Sequence, residues 1–171
     1  AGKEKQYTDL VKSADAKFTA KDFAGAKGIY QQAADIKPTE QYPKDRIKAC
    51  EDAIAAAGLD KQYSDLVKSA DVKFTAKDWA GAKTIYQQAS ALKSAEQYPK
   101  DQIVKCDAEI AKKGLQEQYN ALIADADAKF KAADFSGAKS VYQQALDLKS
   151  AEAYPKAQIA KCDAEIAKRG V

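Results

Sequence analysis

Three thiols, Cys50, Cys106 and Cys162, stand 56 residues apart, and the other side chains able to do chemistry recur at that same interval. A thiolate can attack a substrate or hold a metal. Zinc, however, takes four ligands close together, usually Cys-x-x-Cys or histidine among them, and the chain has no histidine and one cysteine per interval. Each cysteine lies three residues after an isoleucine and four before another (Ile47, Cys50, Ile54), the position of a small buried hydrophobe. An odd number of cysteines at one repeated position also gives no disulfide framework within the copies. Paired carboxylates such as Asp9 with Asp15, or Glu51 with Asp52, are the raw material of acid–base catalysis. On a helix, spacings of six and one do not turn two side chains to one side, and no nucleophile or glycine-rich phosphate loop accompanies them. The expectation is no catalytic, cofactor or metal site, and no enzyme.

Two further sets have chemical potential. Fifteen aromatics (nine Tyr, five Phe, one Trp) could stack sugars or bases, though buried aromatics more commonly fill a core. Tyr42, Tyr98 and Tyr154, each just before a proline, read as braces of a turn with the hydroxyl in water. Lys17, Lys27, Lys37 and Lys44 persist in every copy, which reads as a solvated face.

What must position these residues is one unit written three times, over 3–58, 59–114 and 115–170. A fixed period of this size marks a stacked array in which each unit covers its neighbour's apolar face. Copies one and two are identical at most positions and differ by swaps such as Phe23 for Trp79 and Ile36 for Leu92, size-preserving changes that a packed core tolerates. Copies this close imply recent duplication or deliberate consensus design.

The 171 residues are 46% hydrophobic and 31% charged, which excludes disorder. Twenty-eight basic against 25 acidic side chains leave +3, so nucleic acid binding has no electrostatic footprint. No stretch approaches the apolar length of a membrane span. No membrane insertion is expected.

Within copy one, Tyr7, Leu10, Val11, Ala14 and Phe18 recur at three and four, the stripe of an amphipathic helix from about 4 to 20. Asp22, with Asp78 and Asp134, reads as the N-cap of a second helix over about 23–36. A third helix is predicted from Pro43, Pro99 and Pro155, with Ile47, Cys50 and Ile54 inward. Gly58, Gly114 and Gly170 read as left-handed C-caps. A competing reading keeps helical spacing across Ile110, Gly114, Leu115, Tyr119 and Leu122, so that the third helix of one copy and the first of the next form one rod. Gly25, Gly81 and Gly137, costly inside a helix, imply a close approach of the first two helices.

The run from Ala14 to Pro38 resembles a tetratricopeptide repeat: small Ala14, aromatic Phe18, the Asp22-Phe23 turn, small Ala26, aromatic Tyr30, small Ala33 and the closing Pro38, which is serine in the other copies. The resemblance implies that Tyr7, Phe18, Phe23 and Tyr30 are packing residues. It departs from that family in period, since the usual unit is about 34 residues and two helices, whereas a third helix beginning Tyr-Pro-Lys is added here. The combination looks like repeats of Bacteroidetes envelope-associated proteins, which implies a periplasmic or envelope location. Peptide-binding members grip a carboxylate with Lys and Asn on the first helix; the matching positions here hold Val11 and Asp15, Val67 and Asp71, and Ile123 and Asp127. An acidic row repels a carboxylate, so a cationic or amide-rich partner suits it better.

These observations predict an all-α fold, an α-solenoid of three 56-residue repeats in a single repeat domain with three helices each. The runner-up is three separate three-helix bundles in a row. The expected function is a non-enzymatic scaffold for protein–protein interaction, its face formed by Thr8, Asp15, Thr19, Ser64, Asp71, Thr75, Asn120, Asp127 and Lys131. The alternative is a structural spacer or self-assembling element, stacking end to end through uncapped terminal repeats as a homo-oligomer.

Overall fold

A computed structural model describes residues 2–170, all of whose regular structure is helical: α1 (Gly2–Thr19), α2 (Phe23–Ile36), α3 (Gln41–Thr75), α4 (Trp79–Leu92), α5 (Tyr98–Lys131), α6 (Phe135–Leu148) and α7 (Ala153–Arg169). The chain forms two compact units, Ala1–Val72 with Ile85–Pro99, and Lys73–Thr84 with Lys100–Val171. Their boundaries do not follow the 56-residue copies; the middle copy is divided between them.

The turn between α1 and α2 is built from two interlocked caps. The Asp22 N–H reaches the Lys17 carbonyl at 2.9 Å and the Lys21 N–H reaches the Phe18 carbonyl at 2.9 Å, the paired bonds of a Schellman ending. That ending needs a left-handed residue, and here it is Lys21, with φ 62°. Asp22 then caps α2, its Oδ1 accepting from the Gly25 N–H at 2.9 Å. Lys77 and Asp78, and Ala133 and Asp134, repeat this arrangement. A Cβ on Gly25, Gly81 or Gly137 would run into the capping carboxylate of Asp22, Asp78 or Asp134. These glycines therefore make room for the cap of their own helix, and not for the close helix–helix approach that the sequence suggested.

After Lys37 a short turn, with the Glu40 N–H on the Lys37 carbonyl at 3.2 Å, leads into α3. Pro43, Pro99 and Pro155 lie within the first turns of α3, α5 and α7 and are fully buried, where a missing N–H costs nothing.

The expected third-helix ends at Gly58 and Gly114 are absent. Both glycines lie inside unbroken helices of 35 and 34 residues, and no described glycine has positive φ. Gly170 does end α7, at φ −92°, without the left-handed geometry. Among the described residues seven helices thus stand where three per copy were expected. Ala55-Ala56-Ala57 before Gly58 and Leu59, Lys61 and Gln62 after it are good helix formers, and one glycine's cost of about 1 kcal/mol does not stop such a run.

The core combines small alanine and cysteine side chains with one fully buried tyrosine per copy. In copy one Ala14, Ala26, Tyr30 and Cys50 form a buried cluster flanked by Phe18, Phe23, Ile29 and Ile47. In copy three Ala126, Ala138, Val141, Tyr142 and Cys162 do the same, flanked by Leu122, Ile123, Phe130, Phe135 and Ile159. Each of these clusters lies wholly inside one copy. The inward stripe of the third helix gives out early: Ile54 and Ile110, expected inside, are 43% and 38% exposed. Lys27 pairs with Glu51 and Arg46 donates to the Tyr30 hydroxyl, so this part of α3 runs antiparallel to α2.

Glycine at the middle of an exposed helix and glycine at a left-handed cap respond oppositely to alanine. Gly114→Ala is expected to stabilise the protein by about 1 kcal/mol in urea unfolding; a comparable loss would mean that α5 breaks at Gly114 in solution.

Candidate functional site

The most distinctive side-chain arrangement is a carboxylate held by two phenols. Asp15 follows the buried Ala14 on α1, and its Oδ1 accepts from the Tyr30 hydroxyl on α2 at 2.5 Å and from the Tyr42 hydroxyl on α3 at 2.8 Å. Asp71 receives Tyr86 and Tyr98 at the same two distances, and Asp127 receives Tyr142 and Tyr154 likewise. Within each pair the rings meet edge to face, with centroids 6.3, 6.2 and 6.2 Å apart. One oxygen thereby joins three helical segments. Tyr42, Tyr98 and Tyr154 are 45%, 43% and 44% exposed, yet their hydroxyls go to the aspartate, where the sequence had suggested water.

Burial pushes the Tyr30 phenol up to about 12, its bond to Asp15 adding to this and Arg46 opposing it. Tyr86 and Tyr142 are pushed up by burial and then by Asp71 and Asp127. Copy one alone has a guanidinium here. Arg46 Nε donates to the Tyr30 oxygen at 3.1 Å and lies 3.7 Å over the Phe18 ring; Gln102 and Gln158 take its place in the other copies. These phenols are protonated at neutral pH and donate to the aspartates, which links the helices that carry them.

The structure distributes the sequence's candidate face as follows. Thr8 Oγ1 donates to the Glu4 carbonyl at 3.0 Å and Thr19 Oγ1 to the Asp15 carbonyl at 2.9 Å, so both hydroxyls turn back on their own helix. Ser64 is half-buried, while Thr75, Asn120 and Lys131 are exposed; Asn120 accepts from the Gln116 amide at 2.8 Å. Asp15, Asp71 and Asp127 are drawn into the phenol clamps. The acidity on which a preference for cationic partners rested is thus already engaged within the chain.

The lysine row is likewise more than a solvated face. Lys17 bonds Asp22 at 2.6 Å, Lys27 reaches Glu51 at 2.8 Å, and Lys37 pairs with Glu4 while standing 5.0 Å over the Tyr7 ring. Lys83 with Asp107, Lys139 with Asp163, and Lys93 with Asp60 repeat two of these ties. Exposed pairs of this kind contribute at most about 1 kcal/mol each; their use is to fix which helices lie side by side. The three thiols are buried and unoxidised, and burial raises their pKa. Among the described residues no group of three or more His, Cys, Asp or Glu side chains could hold a metal, and no helix is long and apolar enough to cross a membrane.

One feature escaped sequence reasoning. An open hollow of about 580 Å³ is lined by Lys77, Trp79, Glu109, Lys112, Lys113 and Gln116. Its counterpart in copy three holds about 250 Å³ and is lined by Ala133, Phe135, Ile166 and Arg169 among others. There the Arg169 guanidinium stacks 4.5 Å over Phe135 and donates to the Ala133 carbonyl at 2.9 Å. The signal was present in the sequence: Ala53, Ala56 and Ala57 of copy one become Glu109, Lys112 and Lys113, a change of charge unlike the core swaps.

No family model matches the chain, and a search of curated proteins finds no matching relative.

The clamp yields two expectations. Asp71→Ala removes the acceptor of the buried Tyr86 hydroxyl and should cost about 2 to 3 kcal/mol in urea unfolding, whereas Tyr98→Phe, at an exposed ring, should cost about 1 kcal/mol. The second concerns alkali. Folded-state phenol pKa values lie above the ordinary 10, so the neutral phenols favour the fold fully below pH 10, and this contribution is lost as pH rises through the raised values. Each fully coupled tyrosine should weaken the folding equilibrium roughly tenfold per pH unit over that window; helical circular dichroism followed beside phenolate absorbance from pH 9 to 12 checks it, and flat stability would contradict the clamp.

Proposed function

We propose that the chain is a TPR-like α-solenoid of three 56-residue copies and acts as a non-enzymatic scaffold for protein–protein interaction. The observation that carries this reading is the division of labour between side chains. The clamp aspartates and tyrosines, the capping aspartates and the buried cysteines are the same in every copy. The side chains around the first turn of the second helix change instead: Lys21, Phe23, Ala53, Ala56 and Ala57 become Lys77, Trp79, Glu109, Lys112 and Lys113, and then Ala133, Phe135, Glu165, Lys168 and Arg169. A surface that differs between copies on a constant frame is what recognition requires. The candidate first-helix face varies less, reading Thr8, Ser64 and Asn120 at one position and aspartate throughout at another.

A spacer is the second reading, favoured by one specific observation. The described clusters close within single copies, and successive copies are joined by unbroken helix. End-to-end self-association has less behind it. Tyr7 near the start is half-buried like Tyr63, and Ile166 near the end is less exposed than Ile110, so the terminal copies carry no extra uncovered apolar surface at these positions.

The two readings separate on replacement of the copy-variable surface. Exchanging residues 109, 112 and 113 for the alanines of copy one is expected to leave thermal stability within about 0.5 kcal/mol and to abolish retention of the partner that cross-linking identifies in the source cells. Retention that follows only the number of copies, and never their surface, would instead establish the spacer.

A further inference from the structure

We infer that the hollow beside Trp79 is a docking site for an acidic peptide segment bearing an apolar side chain. This rests on the scaffold reading and names its partner's chemistry. The hollow presents three ammonium groups, Lys77, Lys112 and Lys113, against one carboxylate, Glu109. The exposed Lys77 and Lys112 form no ion pair with any described residue. Lys113 has only a loose pair with Glu117, at 3.7 Å on the surface. The half-buried Trp79, first residue of α4, lines the same hollow. An aromatic ring for an apolar side chain and neighbouring ammonium groups for carboxylates complement one ligand class.

The other copies serve as internal controls. In copy three the equivalent basic groups are already consumed: Arg169 covers Phe135 and bonds the Ala133 carbonyl, and Lys168 pairs with Glu165 at 2.6 Å. In copy one the rim is Ala53, Ala56 and Ala57, with no ammonium except Lys21. The middle copy alone therefore combines an open hollow, a tryptophan and unspent positive charge. The tryptophan, unique in the chain, also makes the site report on itself.

The test uses the full chain and a blocked glutamate-rich peptide with one central leucine, beside its glutamine counterpart. The glutamate peptide is expected to change Trp79 emission saturably, and its affinity to fall roughly tenfold as salt rises from about 0.05 to 0.3 M. Lys112→Glu with Lys113→Glu, both exposed, should weaken binding by more than tenfold at unchanged helical content and melting temperature, while the equal charge reversal Lys12→Glu with Lys68→Glu, at residues that do not line the hollow, should change it by less than twofold. Absence of a saturable change, equal binding of the glutamine peptide, or equal harm from the control charge reversals overturns the proposal. So does tighter binding of a single-stranded oligonucleotide with the same residue dependence, which would give the hollow to nucleic acid. An emission shift driven by protein concentration alone would give it to a second copy of the chain. Failure on any of these leaves the scaffold reading to be judged separately by partner retention.

Discussion

A phenol taken out of water needs an acceptor for its hydroxyl, and each copy supplies one aspartate oxygen that serves two phenols from two other helical segments. Much else follows from this economy. The helices meet over alanine and cysteine around one fully buried tyrosine per copy, and in copies one and three phenylalanine and isoleucine pack against this centre. Burying that ring removes much apolar area from water and leaves its hydroxyl to be satisfied. A charged acceptor with two donors has one good geometry, and bonds to a charged group rank among the stronger ones. The clamp thus fixes how the three segments meet around the buried ring, and the inter-helix lysine pairs reinforce the same neighbour relations.

Chain direction is governed by an inversion of the usual roles of glycine. Left-handed backbone falls on Lys21, Lys77 and Ala133, residues that pay a steric penalty there, while glycine occupies the interiors of the long helices. The reversal makes sense when the next residue is counted. Asp22, Asp78 and Asp134 close the ending helix through the backbone and open the following one through the side chain, a double satisfaction of amide groups that a Gly-Leu pair cannot offer. Turns form where two helices are capped at once, and the chain runs straight where only a weak helix former interrupts it.

Charge is spent in two ways on this frame. Lys27, Lys37, Lys83, Lys93 and Lys139 tie one helical segment to another through carboxylates, while Lys77 and Lys112 beside Trp79 form no ion pair with a described residue. The positions that differ most in charge between copies lie late in the third helix. Ile54 and Ile110 lose their cover there, and the side chains opposite the first turn of the second helix no longer constrain the core. Positions released from packing are those at which copies can diverge without unfolding, and the Trp79 hollow occupies them.

Much of the architecture was legible in the residues. The helical periods, the second-helix span 23–36, the capping aspartates, the buried cysteines and the 56-residue interval follow from local propensity and patterning, which depend on near neighbours. The function of Asp15 was not legible. It stood among polar first-helix residues, and its partners lie 15 and 27 positions further along. Nor could spacing alone choose between a helix end and a rod at Gly58 and Gly114, because the cost of one glycine is comparable to what flanking helix formers return. The Phe23 to Trp79 change read as a core swap until the neighbouring α5 side chains came into view. Sequence by itself determined which segments are helical and which face of each is apolar. Tertiary structure alone decided which polar groups satisfy one another and which remain for solvent, since those pairings depend on distances between segments that no local pattern encodes.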